Sequence, residues 1–223
     1  MKERPILMSG PLVAASLCGE KTETRRLVKQ LVGGKYPQYD HREWDGHMLR
    51  VHNGEGAGWS EPCPFGTPGD RLWVRENIRT CRADGGIVVH YQADDAERTV
   101  PDVEGYTVSG GRWTPSIHMP RWAARLFLEV TEVRVERLQD MHAGNVYEEG
   151  FRSSTLAKPR TGPLTWESAY GIWHNDDYDA FCGHEEKAAL EAFADLWGSL
   201  APAGSKWADS PWVWVVSFRR VTP

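Results

Sequence analysis

The chain has 223 residues, 40% of them hydrophobic and 26% charged, the balance of an ordinary globular protein and not of a collagen-like, coiled-coil or wholly disordered one. Its formal net charge is −5, from 26 basic and 31 acidic residues, which weighs against a domain gripping long nucleic acid through phosphates but leaves room for a local basic pocket. Apolar runs such as Ile6-Leu7-Met8 are far too short for a membrane span, and Met1-Lys2-Glu3-Arg4 does not read as a secretory leader. Four scattered cysteines (Cys18, Cys63, Cys81, Cys182) form no Cys-x-x-Cys pair and read as reduced thiols, so a cytoplasmic chain without a membrane partner is expected.

Residues 5–8 read as an entering strand. A helix follows, with Ser9 or Gly10 at its N-cap, Pro11 in its first turn and Gly19 just past its end. Residues 33–69 are rich in Gly, Pro, His and Trp without a sustained period and read as an insertion or a rim over a site. Beyond the Thr67-Pro68-Gly69-Asp70 turn, residues 72–76 alternate as a strand; residues 87–91 form another after an Ala83-Asp84-Gly85-Gly86 turn. Residues 94–112 read as a second loop.

The strongest strand signal covers residues 125–138. Leu126, Leu128 and Val130 share one parity and Val133 and Val135 the other, which predicts a bulge or bend near Thr131. Asp140 is placed to cap a short helix ending at Gly150. Residues 152–184 lack a period and read as a third insertion. A helix is predicted over 186–200, with Leu190, Phe193, Trp197 and Leu200 on one stripe, and a last strand over 212–221, with Trp212, Trp214, Val216 and Phe218 on one face. Five or six short strands, three modest helices and no βαβ alternation predict an α+β domain spanning 1–223. Its expected frame is one curved, mostly antiparallel sheet closing toward a barrel, with three short helices and long inserted loops.

The chemistry-bearing segment is Gly19-Glu20-Lys21-Thr22-Glu23-Thr24-Arg25-Arg26. It sets an amine, a hydroxyl and a guanidinium just beyond a helix. A lysine serves as a base only when its pKa falls from about 10.4 toward 7, about 4 to 5 kcal/mol of differential destabilisation, which burial and a neighbouring Arg25 or Arg26 can supply. The activated nucleophile is then Thr24, a hydroxyl paired with an amine base. On the strand at 72–76, period two puts Glu76 on the face of Leu72 and Val74, at the edge of an apolar interior where an unpaired carboxylate is costly. Lys21 or Arg26 is its expected partner.

The spacing Gly19-x-Lys21-x-x-Thr24-x-Arg26 resembles the signature of the ASCH domain, a β-barrel related to the PUA domain. Residues 69–76, 116–123 and 211–218 are similar to segments of longer ASCH proteins encoded by bacteriophages and prophages. The resemblance implies a PUA-like barrel. It also implies an amidohydrolase that removes the acyl group from N4-acetylcytidine, with Lys21, Thr24 and Glu76 in the catalytic positions and no cofactor. Arg26, Trp73, Tyr91 and His118 are candidate substrate contacts, the aromatics by stacking on the base. The expected partner is a small nucleobase or nucleoside. An RNA-binding PUA-like module or a metal-independent ribonuclease is the competing expectation, disfavoured by the acidic net charge, and a non-catalytic phage accessory protein is a third. No metal site is expected, because His41, His47, His52 and Cys63 share no finger-like spacing.

Overall fold

A computed structural model of the chain describes residues 1–34, 41–55, 57–151 and 178–222, the side chains of 178–186 and 188 excepted. The described residues form a mixed α+β fold with eleven strands: β1 (Glu3–Leu7), β2 (Glu23–Leu27), β3 (His41–Trp44), β4 (Met48–His52), β5 (Gly58–Pro62), β6 (Arg71–Arg75), β7 (Ile78–Ala83), β8 (Gly86–Tyr91), β9 (Glu97–Val100), β10 (Phe127–Arg137) and β11 (Trp212–Val221). Three α-helices join them: α1 (Gly10–Leu17), α2 (Ala143–Glu148) and α3 (Tyr178–Leu200).

The strands make three sheets. The largest has the order β1-β6-β10-β11-β2, and β3-β4-β5 and β7-β8-β9 are three-stranded meanders. In the large sheet β1 and β6 are parallel and every other pair is antiparallel. The expected single sheet is therefore corrected to three. The barrel is not closed by any ladder among the described residues. Curvature nevertheless brings the two edges together, since Nη2 of Arg26 on β2 donates to the carbonyl of Leu7 on β1 at 2.7 Å.

β10 carries the bulge that its parity predicts, a register shift between Val130 and Glu132. The bulge returns Val133 to the face of Leu128 and Val130, and all three join the core on the concave side of the sheet. That core also takes Ile6, Val13, Leu72, Val74, Trp214, Val216 and Phe218, and the β3-β4-β5 sheet adds Leu49 and Val51. On the convex side Val213 and Val215 pack with Leu138, Val146, Phe151 and Phe193 under α2 and α3. β11 is thus buried on both faces, which accounts for its unbroken apolar run.

Several expectations change. Residues 33–69 hold β3 to β5 and 94–112 hold β9, while most of 152–184 lies outside the described residues. Leu190, Phe193 and Trp197 belong to the α3 contact, but Leu200 is 74% exposed beyond it. Asp140 accepts from the Arg137 amide and closes the turn Leu138–Asp140, whereas at α2 the side chain of Asn145 reaches back to the His142 amide. Among the described residues no helix is long and apolar enough to cross a membrane.

Strand direction decides where the chemistry gathers. β1 and β6 run one way and β2 and β10 run the other, so the ends of β1 and β6 and the starts of β2 and β10 share one rim. α1 bridges β1 to β2 on that rim, and the end of α2 docks beside it. Gly150 makes the docking close: its φ is +86°, and a Cβ there would lie 2.8 Å from Cβ of Ala15 and 2.9 Å from Cβ of Lys21. Both neighbours are buried, so neither can retreat into solvent. Gly150→Ala is expected to cost about 2 kcal/mol or more, from the left-handed backbone plus the contact, measured as a lower urea midpoint at unchanged m.

Candidate functional site

The site is built on β2, a strand that sequence alone presents as a polar segment. Glu23, Arg25 and Leu27 alternate with Thr24 and Arg26, and pairing with β11 fixes their faces. Thr24 and Arg26 stand opposite Val216 and Trp214, on the concave core side, while Arg25 stands opposite Val215 under α2.

Lys21, just before β2, is 2% exposed, and its ammonium spends all three protons. It donates to the Glu23 carbonyl at 2.6 Å, to the Glu149 carbonyl at 3.0 Å and to Oε2 of Glu149 at 2.6 Å. Glu149 follows α2, whose last carbonyls lack intrahelical partners. Glu148 O takes the Thr22 amide at 2.9 Å and Glu149 O takes Lys21. A cation at a helix C-terminus is also favoured by the backbone dipoles. Burial lowers the Lys21 pKa below its ordinary 10.5; Glu149 opposes that shift, and Arg26 and Arg25 add to it.

Behind the lysine lies a buried ion network. Arg25 pairs with Glu23 at 2.7 Å and with Glu136 at 2.8 Å, and its backbone amide donates to Oε1 of Glu149 at 2.6 Å. Arg134 spans Glu23 at 2.7 Å and Glu136 at 3.2 Å. Lys21, Arg25 and Arg134 thus balance Glu23, Glu136 and Glu149 charge for charge. On the other face, Thr24 is wholly buried, and its Oγ1 has no hydrogen-bond partner among the described residues. Arg26 hydrogen-bonds two carbonyls, Leu7 O and Arg25 O, and no carboxylate among the described residues.

Glu76 sits one residue past β6 and is 1% exposed, buried as its parity predicts. Its partner differs from the expected one. Arg125 grips it bidentately, Nε to Oε1 at 2.8 Å and Nη2 to Oε2 at 2.9 Å, and holds Asp94 through Nη1 and Nη2, both at 2.9 Å. The Arg125 guanidinium lies 4.0 Å from the Tyr91 ring centroid. Burial pushes the Glu76 carboxyl above the usual carboxylate range against the pull of Arg125. On Arg125 burial works the other way, but its hydrogen bonds to Glu76 and Asp94 outweigh it and the proton is held more firmly. Lys21 and Glu76 therefore share the rim without sharing a hydrogen bond, a correction to the expected pairing.

The proposed stacking residues fall in different settings. Tyr91 is 1% exposed, with its hydroxyl donating to Ala123 O at 2.8 Å, and Trp73 packs against the same core with Arg75 over its ring. His118 is exposed on the turn Ser116–His118. Sequence reasoning missed Glu149 and Arg125. Glu149 did leave a trace: Glu148 and Glu149 end a helix where backbone dipoles disfavour acids, an arrangement that wants a nearby cation.

Among the described residues no group of three or more His, Cys, Asp or Glu is placed to hold a metal. Burial pushes the Cys63 thiol up to about 11, so it is an inert core group. A groove of 480 Å³ lies on the β3-β4-β5 sheet, lined by Glu43, Arg50, His52 and Trp59 among others, and none of the rim residues borders it. No protein-family model, no curated protein and no solved structure matches the chain.

Arg125→Met strands Glu76 in the interior and is expected to destabilise by about 3 kcal/mol, since removing one partner leaves an uncompensated buried charge. Adding Glu76→Gln should recover part of that loss. Urea denaturation of the two single variants and the double variant is expected to show coupling of about 1 kcal/mol or more; additivity would deny the pair.

Proposed function

We propose that the chain is a long, phage-type ASCH protein of PUA-like ancestry, acting in the cytoplasm as an amidohydrolase on N4-acylated cytosine or cytidine. One observation carries the reading: the fully buried Lys21, its pKa lowered by burial, begins the strand that turns the buried and unpartnered Thr24 hydroxyl to the interior. An amine destabilised as a cation and, three residues along the chain, a hydroxyl that spends no hydrogen bond are the two groups that base-activated nucleophilic attack requires. Arg26 of the motif and Glu76, from a following strand, lie on the same rim and supply a guanidinium and a carboxylate for the polar edge of a pyrimidine.

In the proposed reaction Thr24 Oγ1 attacks the acyl carbonyl carbon while neutral Lys21 takes its proton. The bond from that carbon to N4 breaks as Lys21 returns the proton to N4, releasing cytidine. Water then cleaves the acyl-Thr24 ester and frees the carboxylic acid, with Glu76 orienting the water from its Arg125 clamp. Thr24 has no exposed surface, so productive binding requires the rim to open.

Incubation of the protein with N4-acetylcytidine is expected to release cytidine and acetate. Lys21→Ala and Thr24→Ala should each lower kcat/KM by about a thousandfold or more while remaining folded by circular dichroism. The rate should rise with pH as Lys21 loses its proton, with a midpoint below 10.5, because the lowered pKa brings the neutral amine to less alkaline pH. A folded wild type that is inert on the nucleoside, yet retains a modified RNA in a binding assay, would transfer the site to the RNA-binding reading.

A further inference from the structure

We propose that Glu149, and not Glu76, is the positioning carboxylate for Lys21, an assignment that rests on the amidohydrolase reading of the rim. Of the three acceptors around the ammonium, two are backbone carbonyls that cannot take a proton. The third, Oε2 of Glu149, is titratable and lies 2.6 Å away in a buried setting. The carboxylate cannot swing off, because Oε1 accepts the Arg25 amide at 2.6 Å and lies 3.5 Å from Arg25 Nη1.

The same residue grips Lys21 a second time through its own carbonyl, and Gly150 abuts the lysine Cβ. Three contacts thus fix the amine: two from Glu149 and one from the Glu23 carbonyl. Glu76 offers nothing comparable, since both of its oxygens are engaged by Arg125.

The chemical consequence is a shared proton. Transfer of one proton from Lys21 Nζ to Glu149 Oε2 converts a buried ion pair into a neutral amine beside a neutral acid, with no change in net charge. The amine then holds a lone pair for the Thr24 proton, and Glu149 returns its own proton when the amine is recharged. The charged groups facing the pair are Arg25 and Arg26 from β2, with Glu23, Glu136 and Arg134 behind Arg25. Two interacting groups of this kind titrate as a unit.

The test reads the lysine directly, without substrate. In the full chain, the Cε resonance of Lys21 (assigned by its loss in Lys21→Arg) is followed against pH in wild type, Glu149→Gln, Glu149→Asp and Glu76→Gln. Removing the Glu149 charge removes the influence that holds the proton on Lys21. The midpoint in Glu149→Gln is therefore expected to fall by about one unit or more below that of wild type. Glu149→Asp, which keeps the charge but shortens the reach, should fall by less and serves if the glutamine variant does not fold. Glu76→Gln should leave the midpoint in place. The alkaline limb of the rate profile should move in step with the resonance. A midpoint unmoved by either Glu149 variant, or moved as far by Glu76→Gln, overturns the pairing. An inert wild type overturns the hydrolase reading instead, and with it the catalytic meaning of the pair.

Discussion

The contact between Lys21 and Glu149 joins two parts of the chain 128 residues apart, and much of the rim hangs on it. β2 is an edge strand, tied to its sheet only through β11. An edge strand with the sequence Glu-Thr-Arg-Arg-Leu has little apolar surface to hold it down. It is instead enclosed because α2 brings a carboxylate and two helix-end carbonyls that lack intrahelical partners onto it, while β10 brings Glu136 and Arg134. Removing any one member leaves a charge in the interior, so such networks are costly to break even where their net contribution to stability is small.

The two buried carboxylates of the rim are separated by what holds them. Glu76 faces a guanidinium whose proton is held firmly by its two carboxylate neighbours. Glu149 faces an amine whose protonated form burial disfavours. A carboxylate clamped by arginine faces a fixed charge; one paired with a buried lysine faces a partner that burial pushes toward neutrality. The chain therefore presents both kinds within one rim, and strand direction rather than sequence proximity puts them there.

How much of this the sequence discloses depends on what kind of signal each element carries. α1 announces itself through Ser9, Pro11 and Gly19, and β10 and its bulge through the parity change around Thr131, because local propensity and apolar period act together there. β11 is legible as a strand, but its second buried face is not, since that face exists only once α2 and α3 cover it. β2 escapes detection for the opposite reason: its burial comes from ion pairs whose partners lie more than a hundred residues away, and period-two apolarity is absent. Glu76 was placed on its face correctly by alternation, yet its partner Arg125 could not be chosen over Lys21 without knowing that β10 starts where β6 ends.

The concave face of the sheet carries a further argument about where function sits. Along β10, β11 and β6 that face is apolar: Val130, Val133, Trp214, Val216, Phe218, Leu72 and Val74. At β2 it turns polar, with Thr24 offering an unspent hydroxyl and Arg26 a guanidinium answered by carbonyls and lying outside the balanced ion network. Two apolar residues at these positions would make a simpler and more stable core, since a buried hydroxyl without a partner and a desolvated cation both cost free energy. Local choices that run against the rest of a consistent fold mark the places where something other than stability was being specified. Here the inconsistency falls on the motif positions Thr24 and Arg26, on the rim shared with Lys21, Glu149 and Glu76.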